Sequence, residues 1–238
     1  VIFLTVVFLF FNADTAFAHQ LIFSDGKNTS LENSLYIPDS QISWAMYGEL
    51  KNNVLFYKFE ADQKEPLYVS VVIPMLEGLD DFSPSLAIIT QHQNIGTLSS
   101  HTGEKNTSVP FALPDGYQAI VFDYDRKITA NVFYEPFTQV NYWERQEVRI
   151  DSINPGIYHI AVFDTSENGK FALAVGEVED FSNANFFDSF IRAWFETKIF
   201  FEDYLTATVS IVIVIAIFSA VGYGVFRIGR RIITKRIM

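Results

Sequence analysis

The amino-acid sequence predicts a mainly β protein. We expect an antiparallel, jelly-roll-like β-sandwich at residues 19–181, an amphipathic helix at 182–203 and a transmembrane helix at 204–226. Three observations predict this class: short apolar runs bounded by turn residues, no amphipathic helix between those runs, and a long uncharged stretch after them. Runs spaced in this way are typical of antiparallel sandwiches rather than of alternating β–α–β units.

Seven of the short apolar runs predict strands. Leu55, Tyr57 and Phe59 alternate with their neighbours at the period of two that is typical of a half-buried strand. Turn signals such as Pro114–Gly116 and Asn154–Gly156 separate the runs, and no linker rich in Pro, Gly or Ser divides them, so we expect one domain. The predicted strands are residues 53–61, 66–74, 85–90, 117–124, 146–151, 156–164 and 170–177.

The stretch Tyr204–Phe226 predicts a membrane span. It has 23 residues without a charge, and a helix needs about 20 to cross a bilayer. Glu202 and Asp203 precede it, and a basic tail at 227–238 follows it. By the positive-inside rule, that tail is cytoplasmic, and the sandwich lies outside the cell membrane.

Residues 1–18 predict a signal peptide. An apolar core is followed by Ala16-Phe17-Ala18, which matches a small-residue cleavage site. Cleavage there leaves His19 as the mature terminus. A terminal His offers copper both its amine and its ring, and His92, His101 or His159 would then complete the site. The alternative is that His19 is an ordinary polar residue at the start of the exported domain.

Residues 182–203 predict an amphipathic helix just outside the membrane span. Apolar residues recur at spacings of three and four, and Ser182 is a candidate N-cap. An aromatic stripe at this position predicts a helix that lies in the lipid interface. It would otherwise pack on the sandwich or face a membrane partner. The candidate membrane-interface residues are Phe186, Phe187, Phe190, Trp194, Phe195 and Tyr204.

The segment Phe133–Glu147 predicts a binding surface. Its aromatic rings offer flat faces for stacking, and nearby carboxylates and an arginine would fix the orientation of a sugar or a partner protein. Pro136 and the lack of clean alternation predict a loop or edge segment. The alternative is that the rings fill the sandwich while the charges pair at its rim. The candidate binding residues are Tyr134, Glu135, Phe137, Tyr142, Trp143, Glu144 and Arg145.

Composition narrows the classes of function. The chain has no cysteine, which excludes disulfides and thiolate chemistry. Its net charge is −11, and removing the five basic residues of the tail leaves −11 − 5 = −16, an acidic body that argues against nucleic-acid binding. No nucleophile elbow or phosphate-binding loop is present, so we expect no catalytic residues. Carboxylate pairs at Glu77–Phe82 and Phe122–Arg126 offer oxygen ligands to calcium.

Two stretches resemble pre-peptidase C-terminal domains. Residues 48–74, "GELKNNVLFYKFEADQKEPLYVSVVIP", are similar to the opening strands of that family, and residues 153–177, "INPGIYHIAVFDTSENGKFALAVGE", to its closing hairpin. The resemblance implies a secreted, jelly-roll-like sandwich, usually non-catalytic and attached to an enzyme or a surface. The layout, with "SWAMYGEL" and "YEPFTQVNYWERQEV", also resembles membrane-anchored exported proteins of archaea and bacteria, which implies no activity.

The sequence therefore predicts a single-pass, non-enzymatic binding or accessory protein outside the cell membrane. Its expected partners are membrane lipid and either a membrane-protein complex or a surface glycan. The alternative function is a copper-binding exported protein that uses His19.

Overall fold

The computed structural model describes residues 19–94, 108–127, 129–136, 138–180 and 186–237, with side chains for all of these except 186–190, 228, 229 and 231–237. Chain contacts divide it into two compact units, Val1–Asn185 and Phe186–Met238. The first unit has eleven described strands: β1 Gln20–Phe23, β2 Leu35–Tyr36, β3 Trp44–Leu50, β4 Val54–Ala61, β5 Glu65–Pro74, β6 Ser85–Gln91, β7 Tyr117–Phe122, β8 Val132–Glu135, β9 Val140–Ile153, β10 Gly156–Phe163 and β11 Gly169–Val175.

The strands form two sheets that face each other. The six-stranded sheet has the order β1-β3-β11-β5-β9-β8, and the five-stranded sheet has the order β2-β4-β10-β6-β7. Neighbouring strands are antiparallel except for β1 with β3 and β2 with β4, which are parallel pairs at one edge of each sheet. The predicted β-sandwich class is confirmed, with this difference in the two parallel pairs.

The main core lies between the two sheets. Alternate residues of β3, β5, β9 and β11 on one side meet alternate residues of β4, β6, β7 and β10 on the other, and Phe59 stacks on Tyr158 with ring centroids 5.3 Å apart. A second cluster covers the outer face of the five-stranded sheet, where Phe111 packs edge-on against Phe56 and Phe163. Both faces of that sheet are therefore buried in part, and burial of this apolar area stabilises the fold.

Four strands were not predicted from the sequence: β1, β2, β3 and β8. The largest omission is β3, which pairs with β1 and β11 inside the six-stranded sheet. Residues 45–48 on β3 are all buried, so the strand lacks the alternation that marks a half-buried strand. Gly48 also lowers the strand propensity of this run. The fold favours glycine there, because an added Cβ would lie 2.8 Å from the ring of Phe171.

Asn28 closes the loop before β2 against β4. Its Nδ2 donates to the carbonyl of Phe56 (2.9 Å), and its own carbonyl accepts from the amide of Phe56 (2.7 Å). These two bonds hold the loop against β4. Asn28 is 4% exposed, so its side-chain amide is buried as well as hydrogen-bonded.

The second unit has two helices, α1 Phe186–Phe200 and α2 Tyr204–Ile237. Within the described chain, α2 is the helix that is long and apolar enough to cross a membrane, over Tyr204–Arg227. It continues beyond the predicted span through the basic tail and ends at Ile237. The structure places a helix where the amphipathic one was predicted, and Ser182 lies outside the described residues.

A tight corner joins α1 to α2. The amide of Asp203 donates to Lys198 O (2.9 Å) and that of Glu202 to Ile199 O (3.0 Å), the pattern of a Schellman cap, with Glu202 left-handed at φ 61°. Asp203 then caps α2 through the amide of Thr206 (3.2 Å) and lies 3.5 Å from Lys198 Nζ. One helix thus ends and the next begins without a flexible linker.

Gly176, just after β11, provides a test of the backbone packing. Its φ is +74°, and an added Cβ would lie 2.2 Å from the carbonyl oxygen of Ile42. Gly26 has the same φ but nothing within 4 Å of that position. We expect Gly26→Ala to lower the free energy of unfolding by about 1–2 kcal/mol, the cost of a left-handed alanine, and Gly176→Ala to lower it by more. Urea titration of the full chain in detergent micelles, followed by tryptophan fluorescence, measures both; equal losses would contradict the close approach.

Candidate functional site

A cavity of about 340 Å³ opens on the outer face of the six-stranded sheet, the face turned away from the main core. Small side chains form its floor because three neighbouring strands place them side by side. Ala174 of β11 pairs with Ala45 of β3 and with Ser70 of β5. In the next row, Ala172 lies between Tyr47 and Val72. The concavity follows from this register, since short side chains in the middle of a sheet leave space that larger neighbours enclose.

Two tyrosines cross the cavity. Tyr47 of β3 and Tyr142 of β9 come from strands three positions apart, about 14 Å at the usual strand spacing, and their hydroxyl oxygens lie 3.3 Å apart. Each ring is supported from the side: Phe23 stacks on Tyr47 (4.9 Å between centroids) and Phe133 stacks on Tyr142 (5.5 Å). The aromatic walls are therefore held in place by packing as well as by the sheet.

Burial raises the pKa of both tyrosine hydroxyls well above the ordinary value. Removal from water disfavours the phenolate, and the neighbouring Glu135 carboxylate raises both pKa values further. The two hydroxyls consequently keep their protons at neutral pH and contribute neutral hydrogen-bonding groups to the cavity.

Carboxylates and a histidine form the polar side of the cavity. Glu135 is 9% exposed, and its Oε2 accepts a hydrogen bond from the amide of Thr138 (2.6 Å). Glu144 lines the same cavity from β9. His19 lies at its rim, where the ring Nδ1 is 2.5 Å from Ser43 Oγ. Burial lowers the pKa of His19, and the nearby carboxylates oppose that shift without reversing it, which favours the neutral ring.

The segment predicted to bind ligands forms a hairpin of β8 and β9 at the edge of the sheet. A loop or an edge segment was predicted here, and the structure has strands at the edge of the sheet, which agrees with the second of these two. Its two faces separate the candidate residues. Glu135, Tyr142 and Glu144 face the cavity, whereas Tyr134 lies on the opposite face of the edge strand and is 54% exposed. Phe137 lies outside the described residues.

Trp143 and Arg145 turn away from the cavity. Trp143 packs against the main core, and Arg145 donates to the carbonyls of Asp80 (2.5 Å) and Phe82 (3.1 Å) while its guanidinium lies 5.4 Å from the Trp143 ring centroid. Both residues alternate with Tyr142 and Glu144 along β9 and so lie on the other face of the sheet, and the β-bulge after Glu144 changes the face only of the residues that follow it. The packing of Trp143 agrees with the alternative interpretation, in which rings fill the sandwich. Ligand binding by any member of the set stays a prediction.

Sequence reasoning missed the floor of the cavity. Ala45, Tyr47, Ser70, Ala172 and Ala174 come from three strands that are distant along the chain. None of them belongs to a local motif, and alanine on a strand carries no chemical signal. The one hint in the sequence is the run of small residues in "FALAVG", within the stretch that resembles a closing hairpin.

The histidines do not come together in the described part of the chain. His19 lies on the six-stranded side, whereas His159 on β10 faces Ser34 (3.0 Å) and Tyr117. His92 is exposed at the end of β6, and His101 lies outside the described residues. Copper binding stays a prediction.

Neither candidate calcium segment gains a ligand set among the described residues, where no group of three His, Asp or Glu side chains is placed to hold a metal ion. In the first segment, the carbonyls of Asp80 and Phe82 accept hydrogen bonds from Arg145. In the second, Asp123 accepts from Ser85 Oγ (2.6 Å) and Asp125 from the amide of Lys127 (2.9 Å). These contacts are typical of turns.

The predicted membrane-interface residues are described in part. Tyr204 is 58% exposed at the start of α2, and Trp194 and Phe195 are half-buried on α1. The side chains of Phe186, Phe187 and Phe190 are not among those described. Contact of this helix with lipid stays a prediction.

Comparison with solved structures finds a pre-peptidase C-terminal domain of a collagenase from Bacillus anthracis. It is 10% identical, with 59% of this chain and 91% of that chain covered, at a TM-score of 0.28. This is the family that the two sequence stretches resemble, and the fold assignment itself rests on the strand pairing of this chain. No protein-family model and no curated protein matches the sequence.

His159 provides a pH test of the described packing. Burial lowers its pKa to about 4, with Lys58 adding to the shift and Glu32 opposing it. In the unfolded chain, His159 therefore binds a proton near pH 6.5, whereas in the folded chain it binds one only near pH 4. The contribution of the neutral ring to the free energy of unfolding is complete above pH 6.5. It is lost as the pH falls towards 4.

We expect His159→Gln to reduce the loss of stability between pH 7 and pH 4.5, and His92→Gln, at an exposed position, to leave it unchanged. Urea midpoints at the two pH values measure the effect. An equal loss of stability between the two pH values in wild type and in His159→Gln would show that other groups cause the pH dependence.

Proposed function

We propose that this chain is a single-pass, non-enzymatic binding or accessory protein that presents its sandwich on the outer side of the cell membrane. The observation that carries the proposal is the cavity on the outer face of the six-stranded sheet. Sheets in soluble sandwiches commonly turn polar residues to solvent on that face. Here Ala45, Tyr47 and Ala172 are instead buried around a polar-edged hollow.

The chemistry of the cavity supports recognition of a protein partner or a surface glycan. Rigid aromatic rings supply contact area at low entropic cost, and Glu135 and Glu144 supply directional polar contacts. The apolar helix over Tyr204–Arg227 supports anchoring. A membrane-anchored chain keeps a weakly bound partner at a high local concentration.

Filling the cavity tests the proposal. Ala174→Leu adds bulk to its floor, and Ala112→Leu makes the same change at an exposed position beside the other sheet. Protein partners are captured by cross-linking the full chain in its native membranes. For the surface-glycan arrays, the purified full chain is reconstituted into phosphatidylglycerol nanodiscs, which lack sugar head groups.

We expect Ala174→Leu to lower the captured partner or glycan signal about tenfold, because excluding a ligand from its pocket costs at least ~1.4 kcal/mol. Ala112→Leu should bind as wild type does. Wild type that captures neither class of ligand, or an unchanged signal in Ala174→Leu, would overturn the proposal.

The absence of cysteine permits a direct test of orientation. Thr165→Cys places a single thiol on an exposed turn of the sandwich, and Lys235→Cys places one in the basic tail. With the sandwich outside, a membrane-impermeant maleimide should label the first variant in intact cells and the second only after permeabilisation. The reverse pattern would show that the sandwich is cytoplasmic.

A further inference from the structure

The cavity on the six-stranded sheet has an unusual balance of charge. Glu135 and Glu144 line it, and the described lining residues include neither lysine nor arginine. His19 at the rim favours the neutral ring, and the two tyrosines keep their protons. Cleavage before His19 would add one positive α-amine at the rim, and the two carboxylates outnumber it, so the potential of the cavity is negative. Burial strengthens this potential because the low dielectric screens it weakly.

Aromatic rings surround these carboxylates. Tyr47, Tyr142 and Phe133 form the walls, and the negative face of such a ring attracts an organic cation. A contact of this kind occurs beside the cavity, where the guanidinium of Arg149 lies 4.4 Å from the ring centroid of Tyr68, a lining residue. Glu147 and Glu177 pair with that guanidinium and balance its charge. A positive group in the cavity would find both a ring and a carboxylate.

The volume suits a small head group. At about 340 Å³, the cavity is near the lower end of the range of about 300–1,000 Å³ for ligand pockets. The alanine floor offers apolar contact to methyl or methylene groups, which a hydrated metal ion does not use. An alkylated ammonium combines the three requirements: positive charge, apolar surface and small size.

We propose that this cavity binds an organic ammonium group, with its charge facing Glu135 and Glu144 and its alkyl surface on Ala172 and Ala174. The inference rests on the proposed binding function and names the chemistry that the same cavity recognises. The ammonium group belongs either to a free quaternary amine or to a zwitterionic head group that also carries a phosphate.

The test uses the full chain in dodecyl maltoside micelles, which contain no ammonium group. Choline is titrated by calorimetry against 3,3-dimethylbutan-1-ol, its uncharged isostere of the same shape. Glycerophosphocholine forms a third arm. We expect saturable binding of choline and about tenfold weaker binding of the isostere, since the isostere has no charge for the rings and carboxylates. Binding of glycerophosphocholine equal to that of choline would identify the head group as a source, and weaker binding would identify the free amine.

Three variants assign the effect to the cavity. Glu144→Gln and Glu135→Gln keep the size of each side chain, and glutamine can still accept the Thr138 hydrogen bond at position 135. Each should weaken choline binding about fivefold or more, whereas Glu60→Gln, at an exposed position on the other sheet, should leave it unchanged. Near-ultraviolet circular dichroism confirms that each variant is folded.

Equal affinity for choline and its isostere, or full choline binding in both glutamine variants, would overturn the ammonium inference. No choline binding, together with loss of partner or glycan capture in Ala174→Leu, would overturn this inference and leave the proposed function standing. Charge-dependent choline binding without any captured partner or glycan would support this inference and overturn the proposed one.

Discussion

The register of β3, β11 and β5 is the constraint on which the site depends. It places Ala45, Ala174 and Ser70 in one row and Ala172 in the next, all on the outer face of the sheet. A shift of one residue in any of these strands would turn the opposite set of side chains outwards, because successive side chains point to opposite faces. The inward set, which includes Leu173, is part of the main core. Core packing therefore fixes the same register that forms the cavity.

A bulge in β9 changes which residues of that strand face the cavity and which face the core. Before it, Tyr142 and Glu144 face the cavity while Trp143 faces the core. After it, Val148 and Ile150 face the core, with Glu147 and Arg149 exposed at the surface. Arg145 at the bulge is free of the ladder and holds the loop before β6 through two carbonyls. The bulge also explains why the alternation read from the sequence fails in this segment.

The second unit shows that a connection can be ordered without glycine. Glu202 adopts a left-handed conformation that costs an ordinary residue roughly 1–2 kcal/mol, and the Schellman bonds on either side of it offset that cost. Asp203 links the two helices twice, as the cap of α2 and as the partner of Lys198. A corner held in this way transmits the direction of α1 to the apolar helix that follows it.

The sequence by itself determined the sandwich class, seven of the strands and the apolar helix at Tyr204–Arg227. These depend on local signals: period-two alternation, turn residues, and an uncharged run of sufficient length. Only the tertiary structure decided that β3 lies inside the six-stranded sheet and that Tyr47 meets Tyr142 across it. The reason is physical: the cavity is formed by small side chains brought together by strand pairing, and an alanine has no chemistry of its own that would identify it in advance.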